Sequence, residues 1–375
     1  MLISKSFDSG SIDVIDATDP LNVRLGILRD HESDFFQWFH FRVSGVLDEP
    51  CKFTIEKANE TAFPEGWESY NVCASYDRNN WFRVPTAYDG ESLSWSITPD
   101  FDSIYFAYFV PYSVERHLDL IADCSTSPLV KAHVLGHTLD GQDLDMLEIG
   151  GGAEGKKSVW FIARQHPGES MAEWWMEGAL ERLLDEDDPV ARKLLSKAQF
   201  YLIPNMNPDG SRRGQLRTNA CGASLNREWL DPSMERSPEV FLTRQKMEET
   251  GVDFFIDVHG DEGLPYCFVA GFDGIPNLRQ DRIDLFRRYR HTLASVCPDF
   301  QEVHGYDADG PGEANMSMAL NYVAGHFNAV TMIMETPFQD NHDLPKPEVG
   351  GFSTDRCFHM ARGSLDALLQ IIDDI

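Results

Sequence analysis

The sequence predicts two domains: an N-terminal antiparallel β-sandwich over residues 1–120, then an α/β domain with a mixed, mostly parallel sheet over residues 121–375. Three observations predict this. A length of 375 residues exceeds what a single hydrophobic core usually serves. The first third of the chain is a series of short aromatic and β-branched runs broken by Asn, Asp, Gly and Pro, the signature of antiparallel strands. The remainder alternates compact apolar runs with helical periodicity, as in strands covered on both faces by crossover helices.

The elements follow in order. "SIDVIDA", "WFHFRVSGV", "CKFTIEKA", "YNVCASY", "WFRVPTAY", "SLSWSI" and "SIYFAYFVPY" are the strands of the sandwich, and "DRNN" and "DG" mark turns between them. "AHVLGHTLDGQDLDMLEIG" reads as a hairpin turning at Asp140-Gly141. "KSVWFIA", "QFYLIPN", "VDFFIDVHG" and "AVTMIME" read as buried strands, and the pattern predicts helices over 170–184, 236–250, 280–296, 313–324 and 353–373. "NPDG" reads as a tight turn with no catalytic step assigned to it.

Composition bounds the partners. Lys and Arg number 32 against 61 Asp and Glu, a formal net charge of −29. Phosphate binding needs a basic footprint, so nucleic acid and anionic membrane surfaces are not expected partners, and the acidity reads as a solvated surface. The 7 cysteines are scattered and form no CxxC, which predicts reduced thiols in a cytoplasmic setting. The N-terminus lacks the apolar stretch of a signal peptide, and no run approaches membrane-spanning length.

Polar groups cluster at strand exits, where open α/β sheets bind ligands. "SVWFIA" exits into His166 and Glu169, "DFFIDV" into His259, and "VTMIM" into Glu335. Each alone is as readily a turn residue or a satisfied core group; their shared placement is what singles them out. Two His and one Glu form a common catalytic zinc set with a position left for water. Glu335 is the best candidate for the general base that such a water requires, and its bland alternative is an exposed strand-end carboxylate.

"HPGE", "NPDG", "SLNR", "DVHG" and "ETPF", in that order, resemble the zinc carboxypeptidases, specifically the cytosolic-carboxypeptidase-like branch, whose N-terminal β-sandwich "QWFHFRVSG" also resembles. The resemblance spans nearly the whole chain. It implies one zinc ion held by His166, Glu169 and His259, with Glu335 as general base and Arg217, in "QLRTNACG", polarising the scissile carbonyl. It further implies that Asn226 and Arg227 hold the terminal carboxylate of a peptide or protein substrate. An Arg fork suits that task, because it meets a carboxylate bidentately.

Three departures from the family pattern stand out. Ser224 occupies the place of an Asp that steadies a zinc-bound His, and Asp257, two residues before His259 on the same strand face, is the candidate substitute. Tyr306 is the first choice for the tyrosine that closes over the substrate, and Tyr322 reads as a core residue. Members that trim glutamate tails carry a basic residue in the loop where "GPGEAN" offers Glu313; this predicts a poor glutamate trimmer, unless Arg212 or Arg213 reaches the pocket. Two other functions stay open: a zinc N-acyl amino acid deacylase of similar fold, or an adaptor acting through the sandwich.

Overall fold

The computed structural model describes residues 1–152, 155–346 and 349–375. Two five-stranded sheets face each other in the N-terminal part. The first runs, in spatial order, Leu2–Ser4, His40–Ser44, Ser103–Ala107, Val72–Ser75 and Trp81–Val84, all antiparallel. The second runs Asp13–Asp16, Val23–Gly26, Cys51–Ile55, Leu93–Ile97 and Thr86–Tyr88. Strand Cys51–Ile55 alternates buried and outward residues, as one covered face requires. Phe41 from one sheet meets Phe53 and Trp95 from the other, with Phe106 at 5.4 Å from Phe41 and 5.0 Å from Phe53. One pair departs from the antiparallel expectation: Val23–Gly26 and Cys51–Ile55 run parallel. The chain crosses to the opposite sheet through His40–Ser44 before returning, so the second strand re-enters in the same direction.

A seven-stranded mixed sheet forms the second part. Ala198–Ile203, Lys157–Ala163, Phe254–Asp261 and Val330–Pro337 are its parallel centre. Every residue of the last two strands is buried, which is why they read as unbroken apolar runs. The edges are antiparallel: the hairpin Val130–His137 with Asp143–Ile149 on one side and Phe268–Ala270 on the other. Parallel pairing delivers the carboxyl ends of the central strands to one edge of the sheet.

Helices Met171–Leu183, Pro238–Thr250, Gln280–Val296 and Thr354–Leu369 lie where periodicity predicts them. The helix expected over 313–324 instead starts at Ala319 and ends at Phe327. Asn315 accepts hydrogen bonds from the Ser317 amide (3.0 Å) and hydroxyl (2.7 Å), holding that stretch in a side-chain turn that competes with helix. "NPDG" is the start of a short helix, Pro208–Arg213, rather than a free turn: Asn207 caps the Gly210 amide at 3.0 Å and Pro208 takes the first helical position. Helix Val114–Ser125, capped by Ser113, is amphipathic and lies outside the helices the sequence pattern predicts.

The sandwich is fastened to the second part near those strand ends. Tyr108 stacks on Phe338 at 4.3 Å, and Arg83 donates to the carbonyls of Phe338 (3.0 Å) and Phe352 (3.2 Å). All 7 cysteines are unpaired thiols. Among the described residues no helix is long and apolar enough to cross a membrane.

Candidate active site

Strand Lys157–Ala163 ends at Arg164, which adopts a left-handed φ of 60° and redirects the chain. Its buried guanidinium holds the turn, donating to the carbonyls of Pro167 and Tyr112 (both 3.0 Å) and to Glu173 (2.6 Å). The turn presents His166 and Glu169. His259 arrives at the end of the adjacent strand, directly opposite Glu335 on the next one.

The three expected ligands converge. His166 Nδ1 lies 2.6 Å from one Glu169 oxygen, His259 Nδ1 lies 2.7 Å from the other, and the two Nδ1 atoms are 3.2 Å apart. All three residues are buried, and their donor atoms fall within 4.8 Å of one another. Two imidazoles aimed by the same ring atom at a shared carboxylate fit a borderline cation such as zinc. Burial, reinforced by the charge of Arg217, pushes His166 down to about 3, so its ring is neutral and ready to ligate. Burial opposes charge on His259 as well, but Asp257 and Glu169 outweigh it and raise this histidine well above its ordinary value.

The supporting shell is asymmetric. Asp257 sits 2.9 Å from His259 Nε2 and accepts from Gln165 at 2.6 Å. Ser224 Oγ and His166 Nε2 are buried with no hydrogen-bond partner among the described residues. The carboxylate support thus lies on the His259 side, whereas the Ser224 position offers none to His166.

Glu335 is 5% exposed, far from the bland strand-end alternative. The Tyr306 hydroxyl reaches it at 3.2 Å and also contacts Asp261. Burial raises the Glu335 carboxyl well above its ordinary range; His259 opposes this, while Asp261, Glu169 and Glu262 add to it.

Two arginines share the cleft, whose volume is about 620 Å³. Arg217 is positioned by the sandwich. Asp30 accepts the amides of Leu216 (2.7 Å), Arg217 (2.7 Å) and Thr218 (3.0 Å), while the Arg217 guanidinium lies 5.1 Å from the Phe35 ring centre and 5.9 Å from that of Phe63. Asp30→Ala leaves these buried donors without an acceptor. It should destabilise the protein by about 1–3 kcal/mol and lower kcat/KM through Arg217. Urea unfolding and steady-state kinetics check both; unchanged kinetics would remove the positioning role.

Arg227 donates to the Asn226 carbonyl at 2.7 Å and makes no ion pair among the described residues; the surface pairing otherwise open to Glu228 is taken by Arg236 at 3.0 Å. Burial lowers the Arg227 pKa, and the nearby Arg217 lowers it further. Asn226 is fixed by accepting the Ala319 amide at 2.9 Å.

Not every expected residue joins. Glu313 is exposed and absent from the cleft lining, its carboxylate folded against Gly310, so the predicted repulsion of an acidic side chain by Glu313 has no structural basis. Arg213 pairs with Asp140 at 2.7 Å, Arg212 reaches toward Gln142 at 3.4 Å, and neither lines the cleft. Tyr322 is a core residue beneath Arg244. Sequence reasoning missed Asp30, Phe63, Glu65, Asp261 and Glu262; only the last two carried a signal, as they fall within three residues after His259.

Residues 3–109 match the family model for the cytosolic carboxypeptidase N-terminal domain, and residues 115–264 match that for zinc carboxypeptidase. The metallo-carboxypeptidase of Burkholderia cenocepacia is 44% identical in a superposition covering 99% of each chain, with a TM-score of 0.96. That of Pseudomonas aeruginosa, solved with (2-guanidinoethylmercapto)succinic acid, is 43% identical over 100% of this chain and 99% of that one, with a TM-score of 0.97. An uncharacterized protein of Zymomonas mobilis is 50% identical over 373 residues, 100% of this chain and 97% of its own.

Proposed function

Because the chain belongs to the zinc carboxypeptidase family, with a cytosolic-carboxypeptidase N-terminal domain ahead of its peptidase domain, we propose that it hydrolyses the C-terminal peptide bond of a peptide or protein, using one zinc ion per chain. The observation that carries this reading is the convergence of His166, Glu169 and His259 beside Glu335, in a cleft that also holds two arginines. Zinc held by those three side chains would polarise the scissile carbonyl and make water a nucleophile near neutral pH. Glu335 takes the proton of the attacking water and passes it to the departing amine. Arg217 faces the oxygen that gains negative charge. Asn226 and Arg227 bind the free α-carboxylate and thereby set the register of the scissile bond. Tyr306, which lines the cleft, closes over the bound residue in this reading. The unpaired cysteines suit a reducing, cytoplasmic setting.

A comparison of free-acid peptides with their C-terminal amides tests the reading. Wild type should release residues only from free acids. Arg227→Ala should cost about 1.5–3 kcal/mol in kcat/KM on the free acid, the worth of a hydrogen bond to a charged group, and so lose most of the discrimination. Equal cleavage of acid and amide by wild type would remove the exopeptidase assignment.

A further inference from the structure

We infer that the cleft holds a subsite for a cationic side chain on the residue preceding the scissile bond, formed by Glu262 together with Glu65 of the sandwich. This rests on the carboxypeptidase reading, which sets the direction of the substrate. Asn226, beside Arg227, is anchored to the Ala319 amide, whereas the Arg217 guanidinium lies 5.9 Å from the ring of Phe63, in the sandwich segment that carries Glu65 and presses Gly66 against Glu262. Arg217 is thus on the side of the cleft where the sandwich meets Glu262. A peptide with its terminal carboxylate at Asn226 and Arg227, and its scissile carbonyl near Arg217, extends its preceding residue toward Glu262.

Glu262 is 6% exposed and lines the cleft, and besides its own amide no group among the described residues hydrogen-bonds or ion-pairs with its carboxylate. A carboxylate held in this way gains most from an incoming cation. Its position is fixed. Its carbonyl accepts from Gln339 at 3.3 Å, and the sandwich backbone presses so close that a Cβ on Gly66 would lie 2.4 Å from that carbonyl oxygen. Glu65 comes from the same short sandwich helix, Pro64–Trp67, and lies over Gly263, the residue after Glu262. Asp261 is committed to the amides of Gly263 (2.8 Å) and Leu264 (2.5 Å) and to Tyr306, so it contributes charge without a free acceptor edge. Carboxylates Glu65, Glu169, Asp261, Glu262 and Glu335 line the cleft against Arg217 and Arg227. The chain's −29 adds a long-range field of the same sign.

The test uses zinc-loaded protein and three blocked peptides that share a C-terminal Leu and carry Lys, Leu or Glu before it. Wild type should favour Lys over Glu in kcat/KM by roughly tenfold or more. Glu262→Gln should collapse that ratio toward one, and Glu65→Gln, at an exposed position that does not endanger folding, should narrow it. A wild-type ratio near one, or a ratio unchanged in both variants, would overturn the subsite. If no peptide is cleaved, the hydrolase reading fails separately. Binding by calorimetry then decides the subsite, and Lys peptide binding no tighter than Glu peptide overturns it.

Discussion

Glu335→Gln should lower kcat by about 10²–10⁴-fold, the usual worth of a positioned general base, while leaving zinc content and KM near wild type. Gln keeps the shape of the side chain and its contact with the Tyr306 hydroxyl at 3.2 Å, but it cannot accept a proton. The effect should fall on kcat because Glu335 is not among the converging ligand atoms; those belong to His166, Glu169 and His259. Metal analysis of the purified variant separates loss of base from loss of zinc. A variant that retains zinc and turns over within tenfold of wild type would mean that another group takes the proton, and Asp261, which shares the Tyr306 hydroxyl with Glu335, is the carboxylate to examine.

What could be read in advance follows from how local each signal is. His166, Glu169, His259 and Glu335 terminate apolar runs, and parallel pairing brings such ends to one edge without further information. Asp257 was legible because strand geometry places residues two apart on one face. Asp30 was not: its partners Leu216, Arg217 and Thr218 are 186 to 188 residues away, and nothing near "RDHES" points to them. Glu313 was misplaced for the same reason in reverse. A Gly-rich loop has no periodicity to fix which side chain turns inward, and here the inward one is Tyr306. In the fold, antiparallel spacing of the first strands was plain. The parallel pair Val23–Gly26 with Cys51–Ile55 depends on which sheet an intervening strand joins, and a run of residues does not encode that by itself.

Glu173→Ala should cost about 3–5 kcal/mol of stability, because it strands a buried cation. Glu173 is fully buried and accepts from Arg164 (2.6 Å), His117 (2.7 Å) and Asn205 (3.2 Å). It thereby ties helix Val114–Ser125, after the sandwich, to the turn that presents His166 and Glu169. Arg164, itself 1% exposed and in a left-handed conformation, has no other carboxylate within ion-pair distance among the described residues. The same cluster predicts a pH dependence. Burial alone would lower His117, but Asp145 and Glu173 lift it from 6.5 to about 9. A histidine with a raised folded-state pKa stabilises fully below its unfolded value, near 6.5, and the contribution is lost as pH rises through about 9. Wild type should therefore lose stability between about pH 7 and about pH 10, and the alanine variant, already lacking one partner of His117, should lose less over the same interval. Urea midpoints for both proteins at the two pH values make the comparison, and groups that titrate identically in both cancel in the difference. Equal stability at about pH 7, or parallel losses in the two proteins, would show that Arg164 and His117 find compensation elsewhere and that Glu173 does not secure the turn.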